Sequence, residues 1–149
     1  MDWICNPFEL LTAEELYTIL RIRNLVFIVE QQCIYLDADN KDQVSHHLCG
    51  WKDQELIAYA RILPPGIAFS EASIGRVLTH PQYRKTGSGK ELMKKAIELT
   101  LSLFATNTIR IGAQVYLTGF YEDLGFIKSG AIYDEDGIDH IEMIYTNIQ

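Results

Sequence analysis

The sequence lacks long apolar runs and has few cysteines. No stretch of about 18 uninterrupted apolar residues is present, which argues against a membrane-spanning helix. The segment from Met1 to Cys5 has no basic region followed by a long apolar one, so we expect no secretion signal. The three cysteines are an odd number, and we expect reduced thiols in a cytoplasmic protein.

Positive charge is also in deficit. The chain has 13 Lys and Arg against 20 Asp and Glu, a formal net charge of −7. Such a protein does not attract phosphate backbones, so nucleic-acid binding is disfavoured, whereas a cationic substrate suits the charge. A length of 149 residues with 48% hydrophobic and 22% charged residues is typical of a soluble globular protein. We therefore expect a single domain over 1–149, with no nucleic-acid or membrane partner.

Hydrophobic periodicity predicts alternating strands and helices. Thr12 and Glu15 have the spacing of a capping box, so a helix is expected over 13–29. Other expected elements are strands over 46–52, 55–63, 73–79, 108–115 and 138–146, a long helix from Gly87 or Ser88 to Phe104, and a short helix over 116–124. This order indicates a mixed sheet flanked by helices, an α/β fold of the α+β sandwich type.

The segment 77–90 has the composition of a phosphate-binding loop. A strand ends, Arg84 and Lys85 follow, and Gly87 and Gly89 precede the long amphipathic helix. Glycines let the backbone approach a ligand, and the first N–H groups of a helix have no partners within it. With the positive end of the helix dipole, they form a site for phosphate or pyrophosphate. The alternative is a capping loop that needs glycine only for its turn.

Two common nucleotide motifs fail at this loop. A P-loop requires glycine at Arg84 and Ser or Thr at Glu91, and a dinucleotide fingerprint that begins at Gly87 ends on Leu92 instead of glycine. The pattern that fits is R-x-x-G-x-G, which runs from Arg84 to Gly89.

With this motif the chain resembles the GNAT acetyltransferases. A second block follows at Ile111-Gly-Ala-Gln114 and Phe120 to Phe126, and the runs 26–33 and 140–143 further resemble the ElaA-like subgroup. The resemblance covers nearly the whole chain. It implies a GNAT-like mixed, mostly antiparallel central sheet flanked by helices, with acetyl-CoA as co-substrate and no metal.

The resemblance also implies a set of coenzyme-binding residues. The loop that would hold the pyrophosphate consists of Arg84, Lys85, Thr86, Gly87, Ser88 and Gly89. The backbone of Val77, Leu78 and Thr79 would pair with the pantetheine arm like an added strand, and N–H groups near Leu78 would polarise the thioester. Gln114 and Tyr121, from the second block, complete this set.

Tyr121 resembles the general acid of the family, which protonates the departing coenzyme A thiolate. A thiolate with a reference pKa of about 8.5 needs little help from a phenol. The alternative interpretation is a tyrosine that packs the short helix on the core.

The general base is left open by the sequence. Many relatives have a glutamate on the strand before the glycine loop, but Ser73 stands there and cannot serve as a base. The candidates are Glu30, Glu71, His46 and His47, acting directly or through water, and we take Glu30 and His46 as tentative bases.

No metal site is expected. His46 and His47 are adjacent on a strand and therefore point to opposite faces. The three aspartates in 37–42 resemble a calcium loop, but Asp42 occupies the position that requires glycine.

Three functions compete at this point. The leading one is an acyl-CoA-dependent N-acetyltransferase that moves an acetyl group directly to a primary amine of a small molecule or peptide, as a monomer or homodimer. The alternative is a non-catalytic acyl-CoA-binding or regulatory module, favoured by the missing strand glutamate. The third, a nucleotide-binding protein, is disfavoured by the failed P-loop.

Overall fold

The computed structural model describes residues 1–148 and contains seven strands and three α-helices there. In chain order these are β1 (Asp2–Pro7), α1 (Ala13–Arg23), β2 (His46–Lys52), β3 (Glu55–Leu63), β4 (Ser73–Thr79), α2 (Ser88–Leu103), β5 (Thr108–Gln114), α3 (Thr118–Asp123), β6 (Phe126–Glu135) and β7 (Ile138–Thr146). A π-helix (Asn24–Glu30) continues α1, and short 3-10 turns cover Phe8–Leu10, Asp42–Val44, Pro81–Tyr83 and Val115–Leu117. None of the helices in this part of the chain has the length and hydropathy needed to cross a bilayer.

Two antiparallel sheets meet at one short parallel contact. The first has the order β1-β2-β3-β4 and the second β5-β7-β6. Ala72, just before β4, bridges Ile109 in the parallel sense, and the Arg110 N–H donates to the Ala72 carbonyl at 3.0 Å. No further ladder joins β4 to β5 within residues 1–148, so a gap opens between these strands toward their carboxyl ends.

Helices cover both faces of the first sheet. On one face Ile19 and Ile22 of α1 pack in a cluster with Tyr59 of β3. On the other face Leu92 and Met93 of α2 belong to the main core, which also contains the neighbours of Tyr59 on β3 and extends to the second sheet. Because successive strand residues point to opposite faces, α1 and α2 lie on opposite sides. The expected α/β arrangement of a mostly antiparallel sheet flanked by helices is confirmed.

The first helix begins as predicted but ends differently. The Thr12 hydroxyl accepts from the Glu15 N–H, and the Glu15 carboxylate accepts from the Thr12 N–H, which confirms the capping box. The predicted helix over 13–29 is α-helical only to Arg23, and the following turns are π-helical. The Cys33 N–H donates to the Ile28 carbonyl five residues earlier, so the wider turn persists to the end of the segment.

Two strands are absent from the sequence prediction, β1 and β6. Both lie at sheet edges, where few residues are buried. In β6 only Phe126 is fully buried, and the ladder with β7 is irregular between Ser129 and Tyr133, around Gly130 with its positive φ of 95°. The period-two alternation on which strand prediction depends is therefore weak in these segments.

Candidate active site

A cleft of about 1220 Å³ occupies the gap between β4 and β5. Its walls come from β4, the end of the π-helix, the loop after it, the second sheet, and α3 with the turn before it. The bridge between Ala72 and Ile109 joins the two sheets at the end of the gap where the strands begin. The cleft therefore lies at the carboxyl ends of two diverging parallel strands, beside the N-terminus of α2.

The backbone of β4 offers a free edge to this cleft. One edge pairs with β3, with Tyr59 opposite Leu78 and Arg61 opposite Gly75, so one extra residue bulges from β4. Arg76 lies in this bulge with a positive φ of 50°. Val77, within the bulge, and Leu78 and Thr79, beyond it, line the cleft. An extended ligand can pair with such an edge as an added strand.

The glycine loop leads into the N-terminus of α2. Gly87 is the N-cap in the left-handed region, with φ +85°, and Lys85 also has a positive φ of 65°. The Thr86 hydroxyl donates to the Tyr83 carbonyl at 2.6 Å and accepts from the Ser88 hydroxyl at 2.8 Å. A Cβ on Gly87 would meet no atom within 4 Å, so backbone conformation rather than space requires glycine here.

Arg84 and Glu30 form an ion pair at the edge of the cleft. The Arg84 guanidinium donates to both oxygens of the Glu30 carboxylate, with one contact of 3.1 Å, and both side chains line the cleft. This pair joins the glycine loop to the end of the π-helix. Arg84, predicted to bind phosphate, is thus paired with Glu30, a candidate base. A bound phosphate would compete with Glu30 for Arg84.

Tyr121 lies in α3 and lines the cleft. Its ring packs edge-on against Phe120 and Phe126, with centroids 5.2 and 5.8 Å away, and only 7% of the residue is exposed. Burial raises the pKa of its phenol to about 12, so it keeps its proton at neutral pH. Gln114 lines the same cleft at the end of β5, with its amide oxygen 3.5 Å from the Gln31 amide nitrogen.

The two histidine candidates for the base lie away from the cleft lining. The His46 ring packs edge-on against Phe104 at the end of α2, and its Nδ1 is buried without a partner. His47 points to the opposite face, as predicted, and its ring nitrogens contact the Tyr59 hydroxyl at 2.7 Å and the Asp42 carbonyl at 2.9 Å. Burial lowers the pKa of His47. The structure therefore does not bring His46 or His47 to the candidate site.

Glu71, another candidate base, is held outside the cleft. The Arg110 guanidinium donates to both Glu71 oxygens, at 3.1 and 3.0 Å, and lowers the pKa of Glu71 to about 2. Ser73, the residue in place of the strand glutamate, does line the cleft. Of the four candidates, Glu30 alone contributes to the lining among the described residues.

Several polar cleft residues were not identified as site candidates from the sequence, among them Tyr133, His140 and Glu142. These three lie on β6 and β7, where Tyr133 is opposite His140 and Glu142 is opposite Gly112 of β5. His140 and Glu142 are two residues apart on β7, so a strand prediction alone places both side chains on one face of the sheet. Because β6 was not predicted, the sequence did not show that Tyr133 lies on the same face.

A buried ion cluster fixes the loop that follows the π-helix. Its members are Arg23, Arg61 and Arg76 from the framework and Asp37, Asp39 and Asp42 from the loop. Their closest contacts are 2.7 Å, and Arg23 is fully buried. Arginines thus neutralise the three aspartates that resemble a calcium loop, and residues 1–148 contain no group of three or more side chains placed to bind a metal.

A thiol links this loop to the opposite wall of the cleft. The buried Cys33 Sγ donates to the Asp136 carbonyl in the β6–β7 turn at 2.9 Å. Both residues line the cleft. All three cysteines are free thiols.

A sheet split between β4 and β5, with a glycine loop at the start of the next helix, is the architecture of acyl-CoA N-acyltransferases. The sequence model of the acetyltransferase (GNAT) domain matches residues 17–147, and the chain belongs to this family. Membership of this family indicates acyl-CoA-dependent acyl transfer as the class of reaction.

Individual relatives agree with this assignment. The chain is 40% identical to protein ElaA of Escherichia coli over 151 residues, covering 100% of this chain and 99% of ElaA. The crystal structure of ElaA superposes with a TM-score of 0.90, covering 97% and 98% of the two chains. An acyl-CoA N-acyltransferase from Pseudomonas aeruginosa superposes with a TM-score of 0.92 at 37% identity, covering 98% of this chain and all of the other. The resemblance to the ElaA-like subgroup is confirmed.

A more distant structure shares the fold alone. An aminoglycoside 6'-N-acetyltransferase complexed with coenzyme A superposes with a TM-score of 0.73 at 16% identity and covers 98% of each chain.

Proposed function

We propose that this protein is an acyl-CoA-dependent N-acetyltransferase that moves the acetyl group of acetyl-CoA directly to a primary amine of a small molecule or peptide. The observation that carries the proposal is the free edge of β4, which faces a cleft that lies beside a glycine loop and a helix N-terminus. A pantetheine arm can pair with such an edge as an extended ligand, and a pyrophosphate can bind at such a loop and helix N-terminus.

Coenzyme binding uses the residues predicted from the sequence. The amides of the glycine loop, Arg84 through Gly89, receive the pyrophosphate, and Arg84 exchanges its Glu30 partner for phosphate oxygens. Val77, Leu78 and Thr79 pair with the pantetheine. The coenzyme A in the related aminoglycoside acetyltransferase supports coenzyme binding by this fold.

The reaction needs no nucleophile from the protein. The amine nitrogen attacks the thioester carbonyl carbon, and a tetrahedral intermediate forms with its oxyanion near a backbone N–H of the free β4 edge next to Leu78. The C–S bond then breaks, the nitrogen gives up the extra proton that it carries after attack as the amide forms, and the sulfur takes a proton, so coenzyme A leaves as the thiol. Tyr121 donates this proton or hydrogen-bonds to the sulfur as its charge develops, since its raised pKa keeps it protonated.

The amine must lose one proton before or during attack. Glu30 is the candidate that lines the cleft. When Arg84 binds phosphate instead of Glu30, the Glu30 carboxylate is free to accept that proton through water. Coenzyme binding would thus prepare the base.

A non-catalytic acyl-CoA-binding module is the second candidate. The observation in its favour is that Ser73 stands in place of a strand glutamate, while Glu71 and His47 are engaged elsewhere. This module would bind acetyl-CoA without turnover.

Release of the coenzyme A thiol, measured with acetyl-CoA and a panel of amines, distinguishes the two. We expect release that requires both substrates and falls in Tyr121→Phe. The matched control is Tyr17→Phe, since Tyr17 is an exposed tyrosine of α1 outside the cleft lining. Acetyl-CoA binding without release on the whole panel, unchanged by Tyr121→Phe, would instead identify the binding module.

A further inference from the structure

The cleft face of the second sheet has one carboxylate more than its arginine can neutralise. Arg110 donates to both oxygens of Glu71 and, through its remaining nitrogen, to Glu142 at 2.9 Å. Two carboxylates thus share one guanidinium. Glu71 does not line the cleft, whereas Glu142 does, with 38% of its side chain exposed. The surplus negative charge is therefore available to a ligand at Glu142.

A tyrosine hydroxyl lies next to this carboxylate. Tyr133 reaches from β6 across β7, so that a Cβ on Gly112 would be only 2.7 Å from its hydroxyl oxygen. Gly112 is directly opposite Glu142 in the ladder between β5 and β7. The Tyr133 ring stacks on His140, with centroids 5.8 Å apart, which fixes its direction. Its hydroxyl makes no hydrogen bond to another residue in the described range of 1–148.

The surroundings of this hydroxyl are negative. Burial and the nearby charges of Glu135 and Glu142 raise the pKa of Tyr133. By contrast, the arginines on the facing walls already have carboxylate partners: Arg84 pairs with Glu30, and Arg76 pairs with Asp37. Lys41 also lines the cleft, but the carboxylates of the lining still outnumber its cations by five to four, and three of the five lie on the β6–β7 wall. A positive group of a ligand is therefore favoured on this wall.

We propose that Glu142 and Tyr133 bind a second, cationic group of the acceptor, so that the preferred acceptor is a diamine or a similar amine with an additional positive charge. The carboxylate and the hydroxyl oxygen both accept hydrogen bonds from an ammonium group, which supplies the charge that Arg110 does not. This proposal depends on the proposed acetyl transfer, because it assigns a substrate class to the same cleft.

The strand registers separate this subsite from the reacting atoms. Gly112, opposite Glu142, is three residues beyond Ile109, while Leu78 is six residues beyond Ala72, the partner of Ile109. At roughly 3.3 Å per residue, Glu142 lies nearer to the joined end of the cleft than the thioester site does. A second cation at Glu142 would leave the other amine of the acceptor directed toward the open end, where the thioester is proposed to lie.

Three acceptors of equal carbon number test this proposal, because they differ only at the far end. These are 1,4-diaminobutane with a cation, 1-aminobutane with a methyl group, and 4-aminobutanoate with an anion. We expect kcat/KM for acetyl transfer to decrease in that order. Glu142→Gln should lower kcat/KM for the diamine about 10- to 100-fold, through KM, and should leave 1-aminobutane nearly unchanged. Tyr133→Phe should also lower kcat/KM for the diamine, but by a smaller factor than Glu142→Gln.

Asp139→Asn is the matched control, since it removes one negative charge from the same strand but outside the cleft lining. It should behave like wild type with all three acceptors. Thermal unfolding of each variant checks that the fold is intact. Equal kcat/KM of wild type for the diamine and 1-aminobutane, or equal effects of Glu142→Gln and Asp139→Asn, would overturn the proposal.

The proposed function fails by different results, either the absence of acetyl-CoA binding or binding without coenzyme A release on the whole amine panel. If acetyl-CoA binds but none of the three acceptors turns over, calorimetry of 1,4-diaminobutane with the coenzyme A-saturated protein decides. Binding that is lost in Glu142→Gln and kept in Asp139→Asn supports the subsite, and no binding to wild type refutes it.

Discussion

Removing the Arg23 guanidinium should strongly destabilise the protein. Arg23 is fully buried and donates to Asp37 Oδ2 at 2.9 Å, Asp42 Oδ1 at 2.7 Å and the Asp37 carbonyl at 3.1 Å. Arg23→Met keeps most of the side-chain volume but leaves two buried carboxylates short of a partner. Breaking a buried ion pair in this way typically costs about 3–5 kcal/mol.

We expect the lower end of this range, because each aspartate keeps one arginine. Asp42 still contacts Arg61 at 2.9 Å, and Asp37 still contacts Arg76 at 2.8 Å. A loss of about 3 kcal/mol is a large part of the roughly 5–15 kcal/mol that stabilises a domain. With a urea dependence of about 1–3 kcal/mol per M, the unfolding midpoint should fall by roughly 1 to 3 M.

The matched control is Arg84→Met, which breaks the half-exposed pair with Glu30. Exposed pairs contribute only about 0–1 kcal/mol, so its urea midpoint should stay close to that of wild type. Equal midpoints for Arg23→Met and Arg84→Met, measured by circular dichroism at neutral pH, would refute the stabilising role assigned to the buried cluster.

Three further predictions concern the coenzyme loop, the acid and the pH dependence of stability. Gly87→Val should weaken acetyl-CoA binding about tenfold in calorimetry, because valine disfavours the left-handed φ of +85° by about 1–2 kcal/mol; unchanged affinity in a folded variant would remove the loop from the phosphate site. Tyr121→Phe should lower kcat about 100-fold or more while the Kd for acetyl-CoA changes little, and an equal kcat at every pH would exclude Tyr121 as the acid. The urea midpoint should fall as the pH drops below about 6.5, where unfolded His47 takes up a proton that its buried, lowered pKa resists, and fall further below about 4 as Asp42 protonates. Burial opposes the lowered pKa of Asp42, but hydrogen bonds from Arg23 and Arg61 outweigh it; a midpoint constant from pH 8 to 3 would contradict both assignments.

The parts of the fold that follow from local pattern were predictable. The cap at Thr12, the apolar face of α2 and the strands β2 to β4 each depend on residues close in sequence. The glycine loop belongs to this group, since its motif and its place before α2 are both local.

Contacts between distant segments were not predictable in the same way. Arg84 and Glu30 meet across 54 residues, and Arg110 meets Glu71 across 39. These partners decide which carboxylates face the cleft, so the choice among candidate bases required the structure. Tyr133 and Glu142 escaped notice because β6 is an exposed edge strand with a weak hydrophobic pattern.

Calorimetric titration of acetyl-CoA into the purified protein, with ATP and NAD as controls, decides whether the cleft is an acyl-CoA site. We expect binding of acetyl-CoA alone at micromolar Kd, about −8 kcal/mol, and weaker binding by Gly87→Val. A folded protein that binds no acetyl-CoA, or that binds ATP equally well, would contradict the assignment of the cleft and the glycine loop to acyl-CoA.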